Sequence, residues 1–283
     1  MFGVNLVEHE VDVINARRLE SAPMTCEING FELLDAPLAD RSIDFFSHQD
    51  VIDNYYGHCA ALVSQCSGGH AYAFDHNIRS ASGKESKKRI KGGQQVQGPA
   101  HLVHGDYTLY SAAQRLRDLT RPPSGNDTLS GMLASDESLI SLRDAQRVLD
   151  GGRFAIINVW RNITDSPVSV HPLALCDSQT VNPGDLVVFE IHYADRIGEN
   201  YFARFSDRHR WYYYPGMTRN EALLIKQWDS DGTLASSDGA SSDHCEPDHP
   251  GTFSFHSAFK DSTTPKDAPD RWSIEVRCMV IYP

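Results

Sequence analysis

Short strand-like segments fill the second half of the sequence and constrain its fold more than any other feature. Each segment is apolar, rich in β-branched and aromatic residues, and bounded by turn-forming residues. These segments cover residues 154–160, 168–176, 185–193, 201–205, 210–214, 222–228, 252–256 and 272–282. Short strands at steady spacing predict an antiparallel barrel or a double-sheet jelly roll. We therefore expect a mainly β fold with flanking helices.

Helical patterns occur in the first half of the sequence. Apolar residues recur at three- and four-residue steps over residues 43–65, which predicts a helix that ends at Gly68 and Gly69. Further helices are expected at residues 107–119 and 135–149, with a proline-rich turn between them. We expect these helices to pack on the outside of the barrel.

The other segments of the first half are less regular. The pattern predicts an irregular arm with short strands over residues 1–40, a short strand over 70–74 and a flexible loop over 80–98. We expect a single domain. Its N-terminal arm, residues 1–40, is followed by residues 41–150, which contain the helices and the strand with a candidate metal motif. Residues 151–283 then supply the rest of the jelly-roll core.

The composition argues against several classes of partner. The 283 residues carry a net charge of −12 and a pI of about 5.5, which is unfavourable for binding nucleic acid. No segment is long and apolar enough to span a membrane, and the N-terminal residues lack the pattern of a signal peptide. The six cysteines form no C-x-x-C motif, so we expect reduced thiols and a cytoplasmic protein.

A candidate metal motif, H-x-D, follows the flexible loop. His104 and Asp106 flank Gly105 at the end of an apolar, strand-like run. Side chains two residues apart on a strand point to the same face, so the imidazole and the carboxylate lie side by side. They are two of the three ligands of a 2-His-1-carboxylate facial triad, which holds non-haem Fe(II) and leaves positions open for oxygen and a co-substrate. Such a site needs a third, distant histidine.

His256 is the best candidate for the third ligand. It ends an apolar strand near the C-terminus, and the penultimate strand of a jelly roll reaches the same barrel mouth as the H-x-D strand. A lone histidine within another strand is more often structural, and one in a polar loop is more often solvated. The alternatives of these two kinds are His171, His192, His209, His244 and His249.

The last strand offers a site for an acidic co-substrate. Arg271 and Ser273 are two residues apart and face the same side. A guanidinium binds a carboxylate with two parallel hydrogen bonds, and a neighbouring hydroxyl adds a third. This arrangement suits the distal carboxylate of 2-oxoglutarate, whose other end chelates iron. Arg277 shares the face and is the alternative for this role, unless it pairs with Glu275.

Several other residues are candidates for contacts inside the barrel. Asn158 and Trp160 share one face of their strand, so the amide is able to bind a carboxylate or the substrate while the indole walls the site. Core packing explains Trp160 equally well. Packing in an ordinary aromatic layer likewise explains Tyr212 and Tyr214. A lysine in an apolar strand needs a partner when it is buried. The other candidate substrate contacts are Arg79, Gln97, Tyr212, Tyr214 and Lys226.

The order of the motifs along the chain resembles a known family. The motifs are Val-His-Gly-Asp-Tyr-Thr (103–108), Phe-Ala-Ile-Ile-Asn-Val-Trp-Arg (154–161), Pro-Leu-Ala-Leu-Cys-Asp (172–177), Glu-Ala-Leu-Leu-Ile-Lys-Gln-Trp-Asp-Ser (221–230), Phe-His-Ser-Ala-Phe (255–259) and Arg-Trp-Ser-Ile-Glu-Val-Arg (271–277). Together they resemble the CmcJ/NvfI-type group of Fe(II)/2-oxoglutarate oxygenases, which includes gibberellin-desaturase-like and AsaB-like fungal proteins of secondary metabolism. The resemblance covers residues 40–283.

The resemblance implies a double-stranded β-helix, or cupin-like jelly roll, in which His104, Asp106 and His256 bind Fe(II). It also implies that Arg271 and Ser273 hold 2-oxoglutarate. Oxygen and 2-oxoglutarate would be converted to succinate and CO₂ while a small-molecule natural product is oxidised. The reactions of the group include hydroxylation, desaturation, ring formation and endoperoxidation, so the resemblance does not fix the outcome. The sequence leaves open whether the chain is a monomer or a homodimer.

Two other functions fit parts of the sequence. A cupin-like iron oxidase or dioxygenase that does not use 2-oxoglutarate would keep the three metal ligands and would not need Arg271. A non-catalytic partner of a biosynthetic enzyme would keep the barrel, but it would have no physical need for three ligands in register. Hydrolysis by a Ser/His/Asp triad is set aside because the sequence has no G-x-S-x-G motif.

Overall fold

Two β-sheets form the body of the protein. The computed structural model describes residues 5–20, 22–125, 127–192, 197–235 and 249–283. In these ranges the strands are β1 (Val13–Asn15), β2 (Phe31–Asp35), β3 (His70–Arg79), β4 (His104–Gly105), β5 (Phe154–Asn162), β6 (Leu173–Cys176), β7 (Leu186–His192), β8 (Ile197–Ala203), β9 (Trp211–Tyr213), β10 (Glu221–Asp229), β11 (His256–Ala258) and β12 (Ser273–Ile281). The seven-stranded sheet has the order β1-β9-β6-β11-β4-β8-β7, and the five-stranded sheet has the order β2-β10-β5-β12-β3. The prediction of a mainly β, jelly-roll fold is confirmed.

Short helices accompany the sheets. They are α1 (His48–Asn54), α2 (Tyr56–Ser67), α3 (Ala81–Glu85), α4 (Leu109–Asp118) and α5 (Leu142–Leu149). No helix in the described ranges is long and apolar enough to cross a membrane. The largest helix, α2, packs against β3 and β12 of the five-stranded sheet. The expected position of the helices, outside the sheets, therefore holds for this element.

Two helix predictions need correction. The helix expected over residues 43–65 is two helices, α1 and α2, which meet at the fully buried Tyr55. The hydroxyl of Tyr55 accepts a hydrogen bond from Arg161 at 3.0 Å, so a tertiary contact holds the junction against the sheet. The helix expected over residues 135–149 begins only after Ser141, whose side chain accepts a hydrogen bond from the backbone of Asp144 and caps it.

Strand boundaries also differ from the sequence pattern. β6 begins after His171, because that residue has a φ of +49° and cannot continue a strand into Pro172. The strand expected over residues 252–256 starts only at His256. In contrast, β3 extends five residues beyond the expected end at residue 74. The N-terminal arm contributes strands to both sheets, because β1 pairs with β9 and β2 pairs with β10.

Alternation along β12 separates the hydrophobic core from the interior between the sheets. Ile274 and Val276 are fully buried within the main hydrophobic cluster, on the face that α2 covers. Glu275 and Arg277 point to the opposite face, where they meet polar groups from the seven-stranded sheet and from neighbouring strands. One strand therefore serves both stability and the polar interior.

We expect Ile274→Ala to lower the free energy of unfolding by about 2–5 kcal/mol, because it removes a fully buried side chain and leaves a cavity. Urea denaturation followed by circular dichroism measures this loss. Val188→Ala is the control: Val188 is 55% exposed, so its truncation should change the free energy by no more than about 0.5 kcal/mol. Equal losses in the two variants would contradict the assignment of the core to this face of β12.

Candidate metal centre

Three metal-binding side chains converge between the sheets. One ligand atom from each of His104, Asp106 and His256 lies within 4.8 Å of the other two. His104 on β4 and His256 on β11 are direct partners in the antiparallel pairing, so their rings point to the same face with centroids 4.5 Å apart. Asp106 follows the end of β4, with Oδ1 at 3.5 Å from Nε2 of His104. The sequence-predicted triad is thus brought together.

Backbone carbonyls fix the tautomer of both histidines. Nδ1 of His104 donates a hydrogen bond to the carbonyl of Leu102 at 2.7 Å. Nδ1 of His256 donates to the carbonyl of Ser254 at 3.2 Å. A carbonyl only accepts, so each Nδ1 carries the proton and each Nε2 keeps a lone pair for a metal ion.

The smaller sheet holds the carboxylate in place. Oδ2 of Asp106 accepts hydrogen bonds from the Asn158 amide at 3.2 Å and from Nε of Arg277 at 3.3 Å. The backbone N–H of Asp106 donates to the side chain of Gln227 at 3.2 Å. These contacts occupy Oδ2 and the backbone, and they leave Oδ1 on the side of the histidines.

The protonation states suit metal binding at neutral pH. Burial, followed by the charge of His256, lowers the pKa of His104 to about 4. Burial also lowers the pKa of His256. Burial alone would raise the pKa of Asp106, but the charges of Arg277 and the two histidines outweigh it and hold that pKa well below its usual range. Two neutral imidazoles and one carboxylate form the donor set that suits non-haem Fe(II).

A narrow cleft opens beside these ligands and contains Arg271. Arg271 is only 2% exposed, yet just one nitrogen of its guanidinium, Nη1, has a partner in the described part of the chain, the carbonyl of His171. Nε and Nη2 of Arg271 and the hydroxyl of Ser273 are buried without hydrogen-bond partners there. Buried donors without partners are costly, so they fit an acidic ligand. The residues that line the cleft are Arg79, Ala100, His104, Trp160, Leu173, His256, Ser257, Ala258, Arg271 and Glu275.

Arg277, the alternative for the acidic co-substrate, is already occupied. Besides Asp106, it pairs with Asp75 at 2.8 Å and lies 3.5 Å from Glu275. Three carboxylates around one guanidinium leave it little capacity for a ligand. The structure therefore favours Arg271 for this role and makes Arg277 a support of Asp106. Asn158 likewise donates to the carboxylates of Asp106 and Glu275 instead of facing a ligand.

The aromatic candidates take different positions. Trp160 lines the cleft, and the guanidinium carbon of Arg271 lies 5.6 Å from its ring centroid. Tyr212 lies two strands from His256 in the same cross-strand row, through Leu175, so it faces the same side of the sheet. Tyr214 packs in a second hydrophobic cluster that also contains Trp160. Packing within an aromatic layer therefore describes Tyr214 more simply than a substrate contact does.

The loop candidates and Lys226 differ in whether they reach the cleft. Arg79 lines the cleft, whereas the backbone of Gln97 pairs with Ile78 and Ser80 and extends the edge of β3. Lys226 does not reach the cleft: its buried ammonium lies 2.8 Å from Asp229 and 3.4 Å from Glu27. Its charge is neutralised inside the protein, which removes Lys226 from the set of substrate contacts.

The alternative histidine ligands that the structure describes have structural or surface partners elsewhere. His171 pairs with His101 at 3.1 Å, His192 is exposed beside Glu190, and His209 is buried against Asp185 at 3.2 Å. His249 accepts a hydrogen bond on its backbone carbonyl from Gln179, and His244 lies outside the described residues. None of these described histidines belongs to the cluster around His104.

Sequence reasoning missed two polar residues around Asp106, Asp75 and Gln227, and considered a third, Glu275, only as a possible partner of Arg277. Glu275 shares a face with Ser273 and Arg277, so alternation along β12 contained the signal for it. Asp75 and Gln227 reach the site through strand pairings and a β-bulge after Lys226, for which the sequence gives no local signal.

Comparisons with known proteins agree with this geometry. A family model described as "Oxidoreductase/YMDC permease-like domain" matches residues 3–281. The chain is 29% identical to the Fe(II)/2-oxoglutarate-dependent dioxygenase nvfI of Aspergillus novofumigatus, over 98% of this chain and 84% of that protein. It is 34% identical to the hydroxylase/desaturase poxK of Penicillium oxalicum, over 78% of this chain and 62% of that protein.

A solved structure shows the same architecture. The iron and alpha-ketoglutarate-dependent endoperoxidase NvfI superimposes with a TM-score of 0.70 at 26% sequence identity, over 92% of this chain and 81% of that chain. An uncharacterized protein of Methylophilus leisingeri is 40% identical over 57% of this chain and 74% of its own length. With the triad, the cleft and the fold in agreement, the chain belongs to the NvfI-type family of Fe(II)/2-oxoglutarate-dependent oxygenases.

Proposed function

We propose that this protein is an Fe(II)/2-oxoglutarate-dependent oxygenase that oxidises a small-molecule natural product. The observation that carries the proposal is the combination of the triad with a buried arginine whose Nε and Nη2 have no partner in the described part of the chain. The relatives named as dioxygenase, hydroxylase/desaturase and endoperoxidase support it. The co-substrates are 2-oxoglutarate and O₂, and the co-products are succinate and CO₂.

The protein's own contribution begins with holding the metal. Nε2 of His104, Nε2 of His256 and Oδ1 of Asp106 would hold the metal ion. Activation of oxygen is the chemistry that bound Fe(II) and 2-oxoglutarate supply. Asn158 and Arg277 hold Oδ2 of Asp106, so the carboxylate enters the site ionised and oriented. Because His104, Asp106 and His256 would supply only three ligands, the site would leave room for the co-substrate.

The cleft orients the co-substrate and excludes water. Arg271 and Ser273 offer three donors that have no partner in the described part of the chain, and Arg271 lines the same cleft as His104 and His256. Trp160 and Leu173 provide apolar walls beside the ligands. An apolar lining that keeps water out strengthens the electrostatic contacts of the co-substrate and protects the reacting atoms from side reactions.

The alternative of an iron enzyme without 2-oxoglutarate is less consistent with the cleft. Such an enzyme would bury Arg271 with two nitrogens unpaired, at a cost of about 1–3 kcal/mol for each unsatisfied group. A ligand carboxylate removes that cost. The same donors argue against a non-catalytic partner, which would have no ligand to satisfy them.

We further propose that the protein is located in the cytoplasm. The cysteines of the described ranges, Cys26, Cys59, Cys66, Cys176 and Cys278, are free thiols, which supports a reducing compartment. A homodimer stays a prediction, and light scattering of the purified protein measures it directly.

Anaerobic addition of Fe(II) and 2-oxoglutarate to the metal-free protein should produce the weak visible charge-transfer band of a chelated iron site. His256→Ala should abolish the band because it removes a ligand. Arg271→Ala should weaken it at limiting 2-oxoglutarate, since the distal carboxylate loses its partner. Iron binding without any band in the wild-type protein would sink the 2-oxoglutarate proposal and favour the alternative iron enzyme.

Asn158→Ala should lower the affinity for Fe(II) about 10-fold or more, because Asp106 loses a hydrogen bond that orients it. Competition with a coloured chelator measures the affinity. Asn162→Ala is a matched control on the same strand and face, since its amide bonds the carbonyls of Ser166 and Met217. An equal loss of affinity in both variants would mean that general destabilisation, and not support of Asp106, is responsible.

A further inference from the structure

A second guanidinium lies beside the proposed co-substrate site. Arg79 is the last residue of β3, and it is the direct cross-strand partner of Ser273 on β12. Directly paired residues of an antiparallel sheet place their side chains on the same face. Arg79 and Arg271 both line the cleft that also contains His104 and His256. The cleft is therefore lined by two arginines, one paired across the strands with Ser273 and the other two residues before it on the chain.

Neither of these arginines forms an ion pair with the described residues. Arg79 donates from Nη1 to the carbonyl of Gly98 at 3.0 Å, and Arg271 donates to the carbonyl of His171. The nearby carboxylate of Glu275 instead accepts from Asn158 and lies 3.5 Å from Arg277. Burial and the charge of Arg79 lower the pKa of Arg271 to about 10, a sign that the two cations repel each other.

A separate contact keeps the two arginines together. Asp270, which precedes Arg271, accepts a hydrogen bond from the hydroxyl of Ser80, which follows Arg79, at 2.6 Å. The same oxygen accepts from the backbone N–H of Ser82 at 3.1 Å. The chain segments that carry the two guanidiniums are thus tied to each other, so the repulsion is built into the fold.

We propose that Arg79 and Arg271, with the hydroxyl of Ser273, together bind the distal carboxylate of 2-oxoglutarate. The inference rests on the proposed function and adds to it a residue from a different strand, 192 positions earlier in the chain than Arg271. One carboxylate between two guanidiniums neutralises the repulsion and accepts charge-assisted hydrogen bonds from both. It also satisfies the three buried donors of Arg271 and Ser273.

The test compares two ligands that differ only at the distal end. 2-Oxobutanoate keeps the keto acid that chelates the metal but lacks the distal carboxylate of 2-oxoglutarate. Calorimetry with Mn(II)-loaded protein measures the affinity for each ligand without turnover. Arg79→Gln should weaken 2-oxoglutarate binding about 10- to 100-fold, the loss of a charge-assisted contact, and should change 2-oxobutanoate binding less than about twofold. Arg79→Lys keeps the charge and should show a smaller loss.

Controls separate this inference from the proposed function. Arg210→Gln changes an exposed arginine and should leave both affinities unaltered. If Arg79→Gln weakens both ligands equally, or neither, the distal site does not include Arg79 and the inference is overturned while the proposed function stands. If the wild-type protein binds neither 2-oxo acid, the proposed function itself fails. Unfolding midpoints equal to that of the wild type show that the variants are folded.

Discussion

The ion pair between Arg277 and Asp106 connects the two sheets at the point on which the site depends. Arg277 belongs to the five-stranded sheet, whereas Asp106 follows β4 of the seven-stranded sheet. A buried guanidinium needs several acceptors, and here Asp75 and Glu275 supply the others. The same contact orients a metal ligand. The packing of the two sheets and the geometry of the metal centre therefore depend on each other.

Much of this arrangement follows from local patterns in the sequence. Apolar, β-branched runs bounded by turn-forming residues identified the strands, and the H-x-D spacing predicted that His104 and Asp106 lie side by side, which the 3.5 Å between their side chains confirms. Alternation also placed Ser273 and Arg277 on the interior face of β12. These predictions succeed because a strand converts spacing directly into direction, without information from the rest of the chain.

The parts that sequence could not supply depend on distant contacts. The partners of Lys226 come from Asp229, three residues away, and from Glu27, in the N-terminal arm, so an isolated lysine in an apolar strand resembled a ligand contact. The carboxylates that occupy Arg277 include Asp75, which the pairing of β12 with β3 places beside it. The sequence pattern alone does not reveal this pairing. The division of one long helix at Tyr55 reflects a contact with Arg161 on another element. Periodicity describes a residue's direction but not what it meets.

The direct pairing of His104 with His256 has a consequence for folding. A slip of β11 by one residue would turn His256 to the opposite face and separate the two imidazoles. β11 is only three residues long, so few backbone hydrogen bonds distinguish the correct alignment from its neighbours. A metal ion that binds both rings stabilises only the aligned state, and its binding free energy is added to the stability of that state. Iron bound by both histidines would therefore stabilise the alignment of the strands in addition to its role in the reaction.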